Sequence, residues 1–297
     1  MNQIFVSSSC IKKPNTLREQ LVFFQKNKIF NIELSGNLSS LPLFKIKYEL
    51  KKYKKKGFKF LLHNYFPAPK KPIVLNFISK NLQTFKASKS IIKNAINISH
   101  SSMLDFYAFH PGYLSDADLN KDGYFIFKKK NFTRAEGLNI FIERFSKFYD
   151  LLNLEKKSCK IALENLFPEP NGHINSIMCT YEEIEEVLLS QKLKKKKIFL
   201  IIDLGHLAIS SNFLNFDRIK FIEKILEKFE DRILEVHISE NDEKNDLHLG
   251  LKINSWQLEA LRIFKKKKKN LIYTLESRNC SIREIKNNIK MIKSAIY

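Results

Sequence analysis

Glycine is scarce in this chain. There are eight glycines in 297 residues, with eight prolines, four cysteines and a single tryptophan. No glycine-rich stretch follows an early apolar run, which argues against an open doubly wound sheet with a phosphate loop. The cysteines, Cys10, Cys159, Cys179 and Cys280, are scattered and form no C-x-x-C pair. That pattern fits a reducing compartment better than a disulfide framework. No apolar run approaches the ~20 residues that span a bilayer. The opening MNQIFVSSSC has no basic segment leading into an apolar one, so no secretory signal is read. The expectation is a cytoplasmic protein with no membrane partner.

What is present is apolar bulk and positive charge. Hydrophobic residues make up 44% of the chain, and 25 phenylalanines are spread along it, which excludes extended disorder. The formal net charge is +21, almost all of it lysine. Such a charge suggests nucleic acid at first sight, but its placement has to be weighed. The length suits one α/β barrel, which needs ~250 residues.

Eight apolar runs recur, each followed by a stretch with helical spacing. The expected strands are residues 3–8, 29–35, 58–65, 104–110, 159–165, 198–205, 233–239 and 271–277. They are nearly continuous in Ile, Phe and Leu, as parallel strands covered on both faces should be. The expected helices span roughly 15–27, 41–55, 80–101, 133–153, 180–192, 217–229, 255–268 and 281–296. Caps are read at Asn15, at Thr180 with Glu183, and at Ser281 with Glu284. Eight strand–helix alternations predict an α/β protein, a (β/α)8 TIM barrel in a single domain over residues 1–297. The longest irregular segment, residues 110–131, follows the fourth strand, and a loop of that length is often functional.

The functional signal is positional. Glu33, His63, His110, Glu164, Asp203, His237 and Glu276 each sit at or near the C-terminal end of a different expected strand, from the second to the eighth. In a barrel these ends share one mouth, where ionisable side chains read as catalytic or metal-binding. Carboxylates mixed with imidazoles suit a divalent metal such as Mn, Co, Mg or Zn, with no thiolate required. Glu164, Asp203, His237 and Glu276 come from successive strands and could surround one ion. His206, Asp246 and His248 extend the set towards a second or third ion. Two glutamates beside a metal could act as a base and acid pair for isomerisation or epimerisation α to a carbonyl. The same ions could activate water for phosphodiester hydrolysis. Spacing alone leaves both open.

These residues fall in a series of short motifs: LLHNYFPAPKKPIVLNF, FHPGYL, ALEN, IIDLGH, VHIS with a following DLH, and LES. In that order they resemble the xylose isomerase-like TIM barrels, a superfamily of sugar phosphate isomerases and epimerases that also holds the endonuclease IV-type apurinic-site endonucleases. In the epimerase branch the resemblance implies a metal held by Glu164, Asp203, His237 and Glu276. Glu164 and Glu276 would be the catalytic proton-transfer pair, and His206 would contact substrate. In the endonuclease branch it implies a trinuclear zinc site made by His63, His110, Glu164, Asp203, His206, His237, Asp246, His248 and Glu276. Other features depart from that branch: the first strand ends in SSSC, ALEN runs into LFPEPNGH, and LGH follows Asp203. IELSGN and the HNYFPAP segment look more like isomerase-type proteins of surface-polysaccharide biosynthesis. The first expectation is therefore a metal-dependent sugar or sugar phosphate isomerase or epimerase, with a homo-oligomer compatible with it. The zinc endonuclease is the alternative, and nucleic acid is a partner only under it.

The lysine runs 51–57, 193–198 and 264–270 all precede expected strands. This places them at the end of the barrel opposite the mouth, where they cannot guide phosphates to the site. Lys70, Lys71, Lys128 to Lys130 and Arg278 fall on expected mouth loops. Arg278 is read as a substrate anion holder, and Tyr65, with Phe66 and Tyr113, as shaping a sugar pocket. The DxNxDG opening at 118–123 imitates a calcium loop, but Lys129 stands where a bidentate Glu is required, so it is read as a turn. Cys10 has no base partner, and no thiol chemistry is expected there.

Overall fold

All eight apolar runs become parallel strands, hydrogen-bonded into one closed ring in the computed structural model of the chain. The structure describes residues 3–120, 125–169, 174–268 and 270–297. The strands are β1 (Gln3–Ser7), β2 (Asn31–Leu34), β3 (Lys59–His63), β4 (Phe106–Phe109), a hairpin pair β5 (Ala117–Leu119) and β6 (Phe125–Phe127), then β7 (Lys160–Glu164), β8 (Ile198–Asp203), β9 (Ile233–Ile238) and β10 (Ile272–Leu275). The ring runs β1–β10–β9–β8–β7–β4–β3–β2, and β5 pairs only with β6. The helices are α1 (Leu17–Lys26), α2 (Leu43–Lys54), α3 (Leu82–Ser101), α4 (Arg134–Leu151), α5 (Tyr181–Leu189), α6 (Leu204–Leu214), α7 (Arg218–Phe229), α8 (Trp256–Lys267) and α9 (Ile282–Ile296). This is a single-domain (β/α)8 TIM barrel. No helix of the described residues is long and apolar enough to cross a membrane.

Two apolar layers hold the barrel. The larger lies between the strands and the surrounding helices. The smaller fills the interior with Phe5, Leu61, Phe106, Ala108, Ala162 and Ile201. Side chains two apart on a strand share a face. The next inward positions above this plug are therefore His63, His110, Glu164 and Asp203. The same alternation that makes the strands apolar below makes the interior ionisable above.

The structure departs from the sequence reading in several places. The run 198–205 ends as a strand at Asp203, and Leu204 and Gly205 open α6 instead. Residues Leu204 to Ser211 of this extra helix are all buried, so it carries no polar face whose period would reveal it. Thr16, not Asn15, caps α1. Thr180 caps α5, but the Glu183 carboxylate turns away from the cap to accept from Arg134 and from the Cys179 N–H, so no reciprocal box forms. Ser281 and Glu284 do form the full box, as do Thr133 and Glu136 at α4. The irregular segment 110–131 contains the β5–β6 hairpin. Residues 121–124 of the calcium-like loop, 170–173 of LFPEPNGH and Lys269 of the third lysine run lie outside the described residues.

Candidate metal centre

The ionisable residues singled out at the strand ends meet at the barrel mouth. Their ligand atoms form four overlapping groups, each within 4.8 Å: Glu33, His63, His237 and Glu276; His63, His110 and Glu164; Glu164, Asp203, His237 and Glu276; and His206, Asp246 and His248. Glu164 closes β7, Asp203 closes β8, His237 lies in β9, and Glu276 directly follows β10. Asp203 also caps α6, its Oδ1 accepting the His206 N–H at 2.6 Å, so one turn of helix carries His206 back over the site. Gly205 makes that approach possible. A Cβ there would meet Ser239 Oγ at 2.6 Å and Asn241 Nδ2 at 2.8 Å.

The loop after β9 folds back on itself. Glu240 and Leu249 exchange two backbone hydrogen bonds, at 2.9 and 2.6 Å. Asn241 Oδ1 accepts from the N–H groups of Leu247 and His248 at 2.8 and 2.9 Å. The DLH end is thereby returned to the mouth. His248 Nε2 reaches Asp246 Oδ2 at 2.9 Å, and His206 Nε2 lies 3.7 Å from Asp246 Oδ1.

Each histidine of the cluster has one nitrogen anchored, leaving the other aimed inward. His63 Nδ1 shares a hydrogen bond with Ser35 Oγ (3.2 Å), and His110 Nδ1 with the Tyr113 hydroxyl (3.2 Å). His206 Nδ1 donates to the Asn165 carbonyl and His248 Nδ1 to the Glu276 carbonyl, both at 2.9 Å. His237 is reversed: Nε2 donates to Glu33 Oε2 at 2.9 Å, and Nδ1 faces Glu276, Glu164 and Asp203 at 3.0, 3.6 and 3.8 Å. Such outer anchors, which fix the tautomer and the ring, accompany metal-ligating histidines.

The electrostatics are those of buried carboxylates matched against imidazoles. Glu33, Glu164, Asp203 and Glu276 are buried, and their ion pairs among the described residues are all with histidine. Asp246 adds one pair to Arg278 at 3.3 Å. Burial raises the pKa of Glu33 and of Asp203, the latter with help from Glu164 and Glu276. Burial alone would lower His63, but Glu164 and Glu33 outweigh it and raise it to about 9. In His248 burial is likewise outweighed, by Asp246, and its pKa reaches about 9. His110, with less compensation, is lowered by burial. Glu33 Oε1, Glu164 Oε1, Asp203 Oδ2, Asp246 Oδ1 and His237 Nδ1 are buried without a hydrogen-bond partner among the described residues. An unpaired buried acceptor is costly. The O and N donor set these atoms belong to is of a kind that could hold divalent ions.

Above the cluster lies a cavity of ≈ 810 Å³. One wall is aromatic, with Tyr113, Phe167 and the hairpin residues Phe125 and Phe127; Lys12 and Arg278 bring positive charge to its lining. Tyr65 lines it too, though its hydroxyl is occupied in accepting from the Leu75 N–H at 3.1 Å. Phe66 is buried and does not reach the lining. Lys70 and Lys71 line a separate groove with Pro67 and Ile73, and Lys128 pairs with Asp118 at 2.7 Å. Sequence reasoning missed Lys12, Phe167 and the anchors Ser35 and Asn165; it placed Tyr113 in the pocket, where it lies, but not as the partner of His110. Phe125 and Phe127 lay inside the long irregular segment, whose length was their only signal. Cys10 is fully buried with its pKa raised by that burial, consistent with no thiol chemistry.

No curated protein sequence matches the chain. Solved structures match in fold. A D-tagatose 3-epimerase-like protein superposes with TM-score 0.73 at 19% identity, over 99% of this chain and 97% of its own. An IolI protein with a bound zinc atom gives 0.68 at 13%, over 99% and 98%. Endonuclease IV from Thermus thermophilus gives 0.62 at 11%, also over 99% and 98%. The fold is thus similar to that of enzymes of both branches. A family model matches residues 30–285, and the chain belongs to the family it describes, the xylose isomerase-like TIM barrels.

Proposed function

We propose that the mouth is a trinuclear divalent-metal centre acting on a phosphodiester, the chemistry of the endonuclease branch. The carrying observation is the donor group His206, Asp246 and His248, held beside the other three by α6 and the folded-back loop. An epimerase of the other branch needs only Glu164, Asp203, His237 and Glu276. His63, His110 and Glu164 would hold one ion, Glu164, Asp203, His237 and Glu276 a second, and His206, Asp246 and His248 a third. Ions bound there would polarise a phosphoryl oxygen and lower the pKa of water. The protein itself supplies the fixed imidazole orientations, the aromatic wall on which a ring can stack, and Lys12 and Arg278 for an anionic group.

The sugar epimerase reading, with Glu164 and Glu276 as the proton-transfer pair, keeps one specific support. The basic runs at 51–57 and 193–198 fill the last turn of α2 with the bend after it and the turn leading into β8, away from the mouth. Purified protein is tested for metal content and for incision of an oligonucleotide with one abasic site. Three ions per chain with incision is the expected result. One ion, no incision and interconversion of a ketose that Glu164→Gln abolishes would transfer the assignment to the epimerase.

A further inference from the structure

Glu33 shares one of the four groups of ligand atoms with His63, His237 and Glu276 but is in none of the three assigned an ion above, and it is fully buried beside them. It stands on β2, separated from β9 by β1 and β10 around the ring, and reaches across the interior to His237. Its Oε2 takes the His237 Nε2–H at 2.9 Å. That bond forces the ring into the orientation in which Nδ1 faces Glu164, Asp203 and Glu276, opposite to the other four histidines of the cluster. A second carboxylate, Glu235, is 3.6 Å from the same nitrogen but is engaged by the Thr274 hydroxyl. The histidine that the four-residue group needs would have either nitrogen available without Glu33.

We propose that Glu33 is a positioning residue that sets the Nε2–H tautomer of His237 and strengthens Nδ1 as a metal donor. This rests on the metal-centre reading for its affinity consequence, not for its tautomer consequence. A carboxylate behind a ligating imidazole fixes the ring and raises its basicity, and its loss weakens metal binding on the order of 10- to 100-fold.

The test has two arms. In metal-free protein labelled with ¹⁵N-histidine, raised to a pH at which the His237 imidazolium, favoured by the carboxylates around it, has lost its extra proton, two-bond ¹H–¹⁵N correlation reports the His237 tautomer. The wild type should show Nε2–H; Glu33→Ala should show Nδ1–H or a mixture; Glu33→Gln, which keeps an acceptor oxygen at the same reach, should restore Nε2–H. In the second arm, Zn(II) is titrated against a chromophoric chelator. Glu33→Ala should bind the same number of ions at saturation, with at least one site weakened by about 10- to 100-fold, and Glu33→Gln should lie between it and the wild type. Should Glu33→Ala not fold, Glu33→Asp, which withdraws the carboxylate, is expected to behave as Ala does. An unchanged tautomer and affinity would overturn the proposal, and so would a lost equivalent of zinc, which would make Glu33 a direct ligand. A wild type that binds no zinc would sink the metal-centre reading while the tautomer arm still decides the role of Glu33.

Discussion

Asp246 and His248 are the residues on which the choice of chemistry turns. They lie on a loop, and the Asn241 side chain, the Glu240–Leu249 backbone pair and the bond from His248 to the Glu276 carbonyl bring them to His206. Asp246→Asn or His248→Ala should therefore remove one metal equivalent per chain, read by elemental analysis, and reduce incision by at least about 100-fold, as loss of a metal's charge stabilisation does. Retention of every equivalent would mean that the third group holds no ion. Gly205 is the second sensitive position. A Cβ there meets Ser239 Oγ and Asn241 Nδ2 well inside van der Waals contact. Gly205→Ala should cost about 1–3 kcal/mol by overpacking, measured by denaturant unfolding, and should loosen His206 at the same time.

At the scale of elements, the helix caps carry a pH dependence. Glu284 is held below the ordinary carboxylate range by the Ser281 hydroxyl and N–H, and Glu136 by the Thr133 N–H and hydroxyl. A depressed carboxylate stabilises above its unfolded pKa, and that contribution is lost as pH falls through the folded one. Between about pH 5 and pH 3, around the ordinary carboxylate range, the wild type should lose more Tm than the Glu136→Gln/Glu284→Gln double variant does. Parallel Tm curves for the two proteins would show that the boxes add nothing. The caps also show what kind of local signal survives in sequence. Ser281 with Glu284 was legible because both residues do only this work. Thr180 with Glu183 had the same spacing, but Arg134 on another helix competed for the carboxylate at 2.5 Å and won. α6 was invisible for a related reason: buried along its first two turns, it shows no alternation of polar and apolar faces.

At the scale of the whole molecule, the centre is a buried cluster of carboxylates paired only with histidines and Arg278 inside a strongly basic protein. Binding of ions to the folded state alone stabilises it by about 2.7 kcal/mol at a hundred times Kd. Removing divalent metal with a chelator should lower Tm, and restoring Zn(II) or Mn(II) should recover it; a Tm indifferent to both would mean that no ion is bound. The surface lysines divide by face. Lys265→Gln, Lys266→Gln and Lys267→Gln together should leave the KM for an abasic oligonucleotide unchanged at fixed salt, because α8 ends at the base of the barrel. Lys12→Ala with Arg278→Ala should raise it, because both line the cavity.

The sequence by itself determined the barrel. Its strands are buried on both faces, so they are continuously apolar, and eight such runs separated by amphipathic helices admit few other arrangements. It also determined which residue types crown the strands, because the inward column of every strand but the first ends on a charged or imidazole side chain. Only the tertiary structure decided how those residues group. Asp246, His248 and His206 meet through a loop whose path is set by hydrogen bonds rather than by periodicity. Glu33 and His237 are 204 residues apart and join only because the ring closes. Lys12 and Phe167 face the cavity from loops, where no repeating spacing signals direction. A strand carries its orientation in its two-residue period; a loop acquires its own from whatever it packs against.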